Sequence, residues 1–234
     1  MVLFRQFLWL FLALALQIAP TKSETWRVAA LEWPPYASPD LPGGGIAVAE
    51  LRKVLESGGI DLQIEYMPWP RAQALARSGS YVGYFPAWPE EVKAGFLASE
   101  PLVMSYVGVV QMKETPVSWG SLKDLFKKYR VGYVSTYVYP KEIQTLIDRN
   151  RPLEAGCDNE RDLTRKMAAG RMDLAITDPN VMLYFAQELG FDNLEANPSL
   201  ITEKPLVLAI PNQPAFKARR HLLNELIEQH NAAN

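Results

Sequence analysis

One unit occurs twice in this chain and limits its fold more than any other feature: a helical stretch closed by glycine, followed at once by an apolar strand. Residues 75–79 read Leu-Ala-Arg-Ser-Gly and lead into Tyr81-Val82-Gly83-Tyr84. Residues 167–170 read Met-Ala-Ala-Gly and lead into Met172-Asp173-Leu174-Ala175. Glycine ends a helix well because it enters the left-handed region without a Cβ clash. Two copies of the unit in one chain predict two lobes of similar plan.

The remaining segments extend the alternation. Residues 28–31 read as a buried strand, and Trp33-Pro34-Pro35-Tyr36 then excludes helix. Residues 46–56 carry apolar side chains at helical spacing and stop at Gly58-Gly59. Residues 62–67 alternate as a strand, 70–77 form a short helix with Pro70 near its start, and 81–85 and 101–111 are strands. In the second half a helix opens at Ser121, and strands follow at 129–134, 172–177 and 205–210. Helices lie at 141–149, 160–169, 179–189 and 214–229. The fold class is α/β with mainly parallel sheets. Ligands of such sheets sit at strand C-terminal ends, where loops and helix N-termini meet.

Composition excludes several functions. With 24 Lys and Arg against 26 Asp and Glu, the chain lacks the basic surplus of a nucleic-acid binder. Cys157 is the single cysteine, so neither a disulfide framework nor a thiolate zinc cage can form; it reads as a small packed residue. His221 and His230 are the two histidines, too few for a histidine-rich metal site, and a Ser-His-Asp enzyme is not expected. No metal and no cofactor are expected, and 234 residues suit one or two domains.

The N-terminus reads as an address. Arg5 precedes an apolar run over residues 7–18, and Pro20 breaks it before Thr21-Lys22-Ser23. A membrane span needs about 20 apolar residues, so this run is a signal peptide rather than an anchor. Cleavage is expected after Ser23. The mature chain, Glu24 to Asn234, then keeps 22 basic and 26 acidic residues and is a periplasmic protein, expected as a monomer.

A collinear set of segments carries a resemblance. Trp33-Pro34-Pro35-Tyr36 is followed by Gly45-Ile46 at a helix start, the stretch 69–79, Ala98-Ser99-Glu100-Pro101-Leu102 and Ser121-Leu122-Lys123-Asp124-Leu125. Arg130-Val131-Gly132, Gly170-Arg171-Met172-Asp173 and Thr177-Asp178 complete it. The set resembles the family 3 periplasmic solute-binding proteins, which serve ABC importers of polar amino acids. The resemblance implies a two-lobed type II periplasmic binding protein fold with a hinge of two chain crossings. Lobe 1 would hold residues 24–111 with 201–234 returning to it, and lobe 2 residues 112–200. The crossings would fall near 110–111 and 197–202, and the lobes would close on a ligand.

The resemblance also implies site residues, each with a structural alternative. Trp33 and Tyr36 match an aromatic wall, with Trp69 and Trp88 as further candidates; otherwise the rings pack the loop under the prolines. Asp178 matches the group that meets an α-ammonium, or else it caps the helix from Pro179. The family's arginine for an α-carboxylate is missing: Val92 or Lys93 falls at its place, and Arg71 is the other candidate clamp. Tyr81 stands where the family has an aspartate. Ser135, Thr136 and Tyr137 occupy a loop that would meet the ligand carboxylate, or cap the following helix. These departures leave an amino acid, a larger zwitterion, a polyamine or a carboxylate as possible ligands.

The expected function is capture of a small polar solute, an amino acid or related amine or carboxylate, for an inner-membrane ABC permease, without catalysis. The rival is a periplasmic dehydratase acting on cyclohexadienyl acids, which needs an acid in the cleft. Glu32, Glu90 and Glu91 are the candidate positions, expected at the surface because glutamate is seldom buried. A third reading is an orphan sensor or accessory binding protein.

Overall fold

A computed structural model describes residues 24–150 and 156–233. The expected signal peptide lies outside the described residues. The first sheet is built from β1 (Glu24–Ala30), β2 (Ile60–Tyr66), β3 (Gly83–Ala87) and β4 (Phe96–Ala98). The second is built from β5 (Val103–Met112), β6 (Val131–Val134), β7 (Gly156–Cys157), β8 (Leu174–Thr177) and β9 (Leu194–Ala196). A last strand, β10 (Thr202–Pro211), returns to the first sheet. Among the described residues the strand order is β2-β1-β3-β10-β5-β8-β6-β7, with β4 on β10 and β9 on β5.

The two halves mirror each other. β1 runs parallel to both β2 and β3, and β6 runs parallel to both β7 and β8. Each parallel core is flanked by one long antiparallel strand, β10 on β3 and β5 on β8. Those two long strands also pair with each other, Val103 to Val107 against Leu206 to Thr202. Beyond that ladder β5 enters the second sheet at Gly108, and β10 enters the first at Val207. The crossings therefore lie at 103–107 and 202–206, a few residues from the expected 110–111 and 197–202. The reason is that each strand runs unbroken through the crossing, so no turn residue marks it. Gly108 makes room for Pro179: a Cβ there would lie 2.7 Å from Pro179 Cγ.

Helices cover the sheets for the reason their spacing gives. In α1 (Ile46–Ser57) the buried residues are Ala47, Val48, Leu51, Val54 and Leu55, one stripe at 3.6-residue period. Leu51 and Leu55 are fully buried, and truncating either to Ala would cost about 2–5 kcal/mol. α2 (Trp69–Arg77) is closed by Gly79 at φ +81°, as the sequence unit requires. In the second lobe α3 (Leu122–Lys128) begins on Ser121, whose side chain accepts the Asp124 N–H. α4 (Lys141–Arg149) packs Ile143, Leu146 and Ile147 inward. α5 (Glu160–Ala168) buries Leu163, Thr164 and Met167, and Gly170 at φ +68° closes it. α6 (Pro179–Glu188) and α7 (Pro214–Ala233) complete the α-helices among the described residues. The strands β4, β7 and β9, two or three residues each, were not anticipated; pieces so short carry no readable period.

Candidate functional site

The parallel strands of both lobes end at one cleft. β1 ends at Ala30 and delivers Leu31 and Glu32; β2 ends at Tyr66 and delivers Met67, Pro68 and the start of α2. Across from them, β6 delivers Thr136 and Tyr137, and β7 delivers Asp158 and Asn159 to the start of α5. Between these walls lies a cavity of about 680 Å³, which Trp69, Pro70, Glu160, Arg161 and Phe185 also line. This volume lies within the ordinary range for small-molecule sites.

Behind the cavity the lobes touch through buried carboxylates and aromatic rings. The Trp33 indole of lobe 1 donates to Glu160 Oε1 of lobe 2 at 2.9 Å. Tyr137 Oη donates to Glu160 Oε2 at 2.7 Å, and Thr177 Oγ1 to Glu160 Oε1 at 3.0 Å. Glu91 of lobe 1 accepts the Trp69 indole at 2.8 Å and the Trp88 amide at 3.3 Å, and the Val138 amide of lobe 2 also donates to it. The void among Leu31, Trp33, Pro86, Trp88, Glu91 and Tyr137 is about 10 Å³, no more than one water could fill.

These acids are strongly perturbed. Burial pushes Glu91 up to about 7, against its three hydrogen bonds, and the charge of Glu160 adds to the rise. Burial also raises Glu160, opposed by the bonds from Trp33, Tyr137 and Thr177. Asp178 is pushed by burial up to about 6. Tyr137 is raised far above the usual phenol range by burial and then by the neighbouring Glu160.

The structure distributes the sequence-derived residues unequally. Trp69, Thr136 and Tyr137 line the cavity. Trp33 is buried at its back, stacked on Tyr36 at 4.8 Å and edge-on to Trp88 at 5.9 Å. Tyr36 joins the lobes: its hydroxyl accepts from Asn180 Nδ2 at 3.0 Å and bonds to Asp178. Trp88 is buried and donates to Ser105 Oγ on β5. Ser135 is turned to local structure, its amide and hydroxyl both donating to the Cys157 carbonyl. Thr136 Oγ1 donates to the Asp158 carbonyl.

Geometry places the remaining candidates away from the cavity. Asp178 has no exposed surface and does not line the cavity. Its Oδ1 accepts the Asn180 amide at 2.8 Å and caps α6, while Oδ2 accepts the Tyr106 amide of β5 at 2.9 Å. The carboxylate is thus engaged by the helix cap and by β5. Arg71 and Lys93, the candidate anion clamps, are exposed and stand outside the cavity walls. Glu91, expected at the surface, is 5% exposed, whereas Glu90 pairs with the buried Lys204.

Sequence reasoning missed Glu160, Asp158, Arg161, Phe185 and Tyr66. The signal for Glu160 was present but ambiguous. Asn159 is a helix N-cap that accepts the Asp162 amide at 2.9 Å, and an acid after a cap ordinarily faces solvent. Arg161 forms a two-pronged pair with Glu188 across α5 and α6, and its guanidinium sits 4.7 Å over Phe185. Among the described residues no cluster of histidine, cysteine and acidic side chains could hold a metal ion.

No protein-family model and no curated protein matches the chain. Solved structures match it over nearly the whole length. A histidine kinase sensor domain with similarity to periplasmic binding proteins gives a TM-score of 0.76 at 19% identity, covering 90% of this chain and 92% of that one. An ancestral arginine-binding protein bound to arginine gives 0.70 at 18% identity, over 89% and 92%. The substrate-binding protein of an amino acid ABC transporter gives 0.65 at 14%, over 89% and 94%. The chain has the two-lobed fold of periplasmic binding proteins, as its resemblance to the family 3 proteins implied.

Proposed function

We propose that the protein is an extracytoplasmic binding protein that holds a small polar solute between its lobes and delivers it to an inner-membrane ABC permease. One observation carries this reading: the cavity of about 680 Å³ has its walls on different lobes, and the chain crosses between them in the paired strands β5 and β10. A solute bound there contacts both walls and favours the closed arrangement by its differential affinity. The fold neighbours support the reading, since they include proteins bound to arginine and to glutamine and a ligand-binding core in complex with glutamate. The chemistry is reversible capture by hydrogen bonds and aromatic contacts, with selectivity set by buried groups that a wrong solute leaves unpaired. No helix among the described residues is long and apolar enough to cross a membrane.

The test is a thermal-shift screen on protein unfolded and refolded to strip bound solute, against amino acids, amines, carboxylates and cyclohexadienyl acids. A ligand at about 100 times its Kd adds about 2.7 kcal/mol. For a chain of this size that raises Tm by roughly 5–10 °C. A rise with one class and no turnover by mass spectrometry is the expected result; conversion of the solute would establish the dehydratase alternative. Stimulation of a reconstituted permease by the loaded protein would assign the importer role. Solute binding without it moves the protein to the sensor reading, which the sensor-domain neighbour favours.

A further inference from the structure

Resting on the solute-binding reading, we propose that this cleft selects a cationic amine or guanidine carrying no carboxylate, rather than an α-amino acid. The acidic and basic side chains lining the cavity, phenols aside, are Glu32 from one lobe and Asp158, Glu160 and Arg161 from the other. The one cation among them is committed, because both terminal nitrogens of Arg161 hold the Glu188 carboxylate.

The neutral donors are committed too. The Trp69 indole is bonded to Glu91 and the Tyr137 hydroxyl to Glu160. Tyr66 Oη donates to the Gly44 carbonyl. Helix N-termini do not make good the lack. At α2, Pro70 has no N–H, and the amides of Arg71 and Ala72 both donate to the Pro68 carbonyl. At α5 the first turn already carries the acids Glu160 and Asp162, and the Asn159 side chain takes the Asp162 amide. A ligand carboxylate would therefore face acids with no unspent cation among the described cavity residues, a costly placement.

A cation meets the reverse situation. Glu32 and Asp158 are exposed acids on the two facing walls, and the partly exposed Tyr66 lines the cavity with Trp69 and Phe185, both largely buried. Carboxylates together with aromatic rings bind ammonium and guanidinium groups by charge and by the ring quadrupole. Two acidic walls suit a solute with a cationic group at each end.

The experiment is titration calorimetry with two matched pairs, agmatine against arginine and cadaverine against lysine; each pair differs only by the α-carboxylate. The amine is expected to bind at least tenfold more tightly than its amino acid, with affinity falling as salt rises. Glu32→Gln and Asp158→Asn, both at exposed positions, should each weaken the amine at least threefold without lowering Tm. Arginine or lysine binding as tightly as its amine overturns this inference and leaves solute binding intact. So does binding of another solute class while both pairs fail. No binding by any class overturns the underlying solute-binding reading instead.

Discussion

Glu91→Gln tests whether the buried seam between the lobes is built as described. Glu91 is 5% exposed, accepts three hydrogen bonds from neutral donors, and is pushed by burial from the ordinary 4.5 to about 7. At about 1.4 kcal/mol per pH unit, that rise is worth about 3 kcal/mol of differential stability. The folded protein holds this proton more tightly than the unfolded chain does. The contribution is therefore fully present below pH 4.5 and is lost as pH climbs through about 7, so the wild type should be least stable at the alkaline end of that window. Glutamine removes the titration. Its amide also turns an N–H₂ toward one of the Trp69, Trp88 or Val138 donors, a penalty that is the same at every pH. Asp178 titrates in both proteins, so the difference between the two curves reports position 91 together with its repulsion from Glu160. Urea unfolding followed by tryptophan fluorescence at several pH values between 4.5 and 8 gives those curves. The difference in unfolding free energy should move by about 3 kcal/mol in favour of the variant across this range. Parallel curves would refute the reasoning, because they would mean that water reaches Glu91 in the folded state.

Other expectations follow from the same geometry. Asp178→Ala removes the cap of α6 and orphans the Tyr106 amide, so urea unfolding should show a loss of about 2 kcal/mol or more. Asp178→Asn keeps a capping oxygen and should change solute affinity less than twofold by calorimetry; a tenfold loss would return Asp178 to the ligand site. Gly45→Ala forces a side chain at φ +98° with its Cβ 2.7 Å from the Tyr36 carbonyl carbon and oxygen, and should lower stability by on the order of 2 kcal/mol. Arg71→Ala and Lys93→Ala, exposed and outside the cavity, should leave solute affinity within twofold and stability within about 0.5 kcal/mol.

Much of the fold was legible in the sequence because its signals are local. Helix stripes such as 47, 48, 51, 54 and 55, glycine stops at 79 and 170, and the Ser121 cap depend on a few neighbouring residues. Those signals survive without tertiary context, and their order alone pointed to two αβ lobes. The points where the chain passes between the sheets carry no sequence mark, since β5 and β10 change partners in mid-strand and leave no break in the apolar pattern. The site was legible only in part. The resemblance offered Trp69, Thr136 and Tyr137 as candidates, and they line the cavity.

What the tertiary structure alone decided is how each polar group spends its hydrogen bonds. Asp178 could cap a helix or meet a ligand, and the approach of the Tyr106 amide from a strand 72 residues away settles its second oxygen. Glu160 reads as an ordinary first-turn acid until Trp33, 127 residues earlier, is brought to 2.9 Å from it. Glu91 reads as a surface acid until Trp69 and Val138 close over it from both lobes. Propensity and period are properties of adjacent residues and can be read along the chain. Burial and electrostatic environment are set by residues distant in sequence, and they exist only once the two lobes have come together.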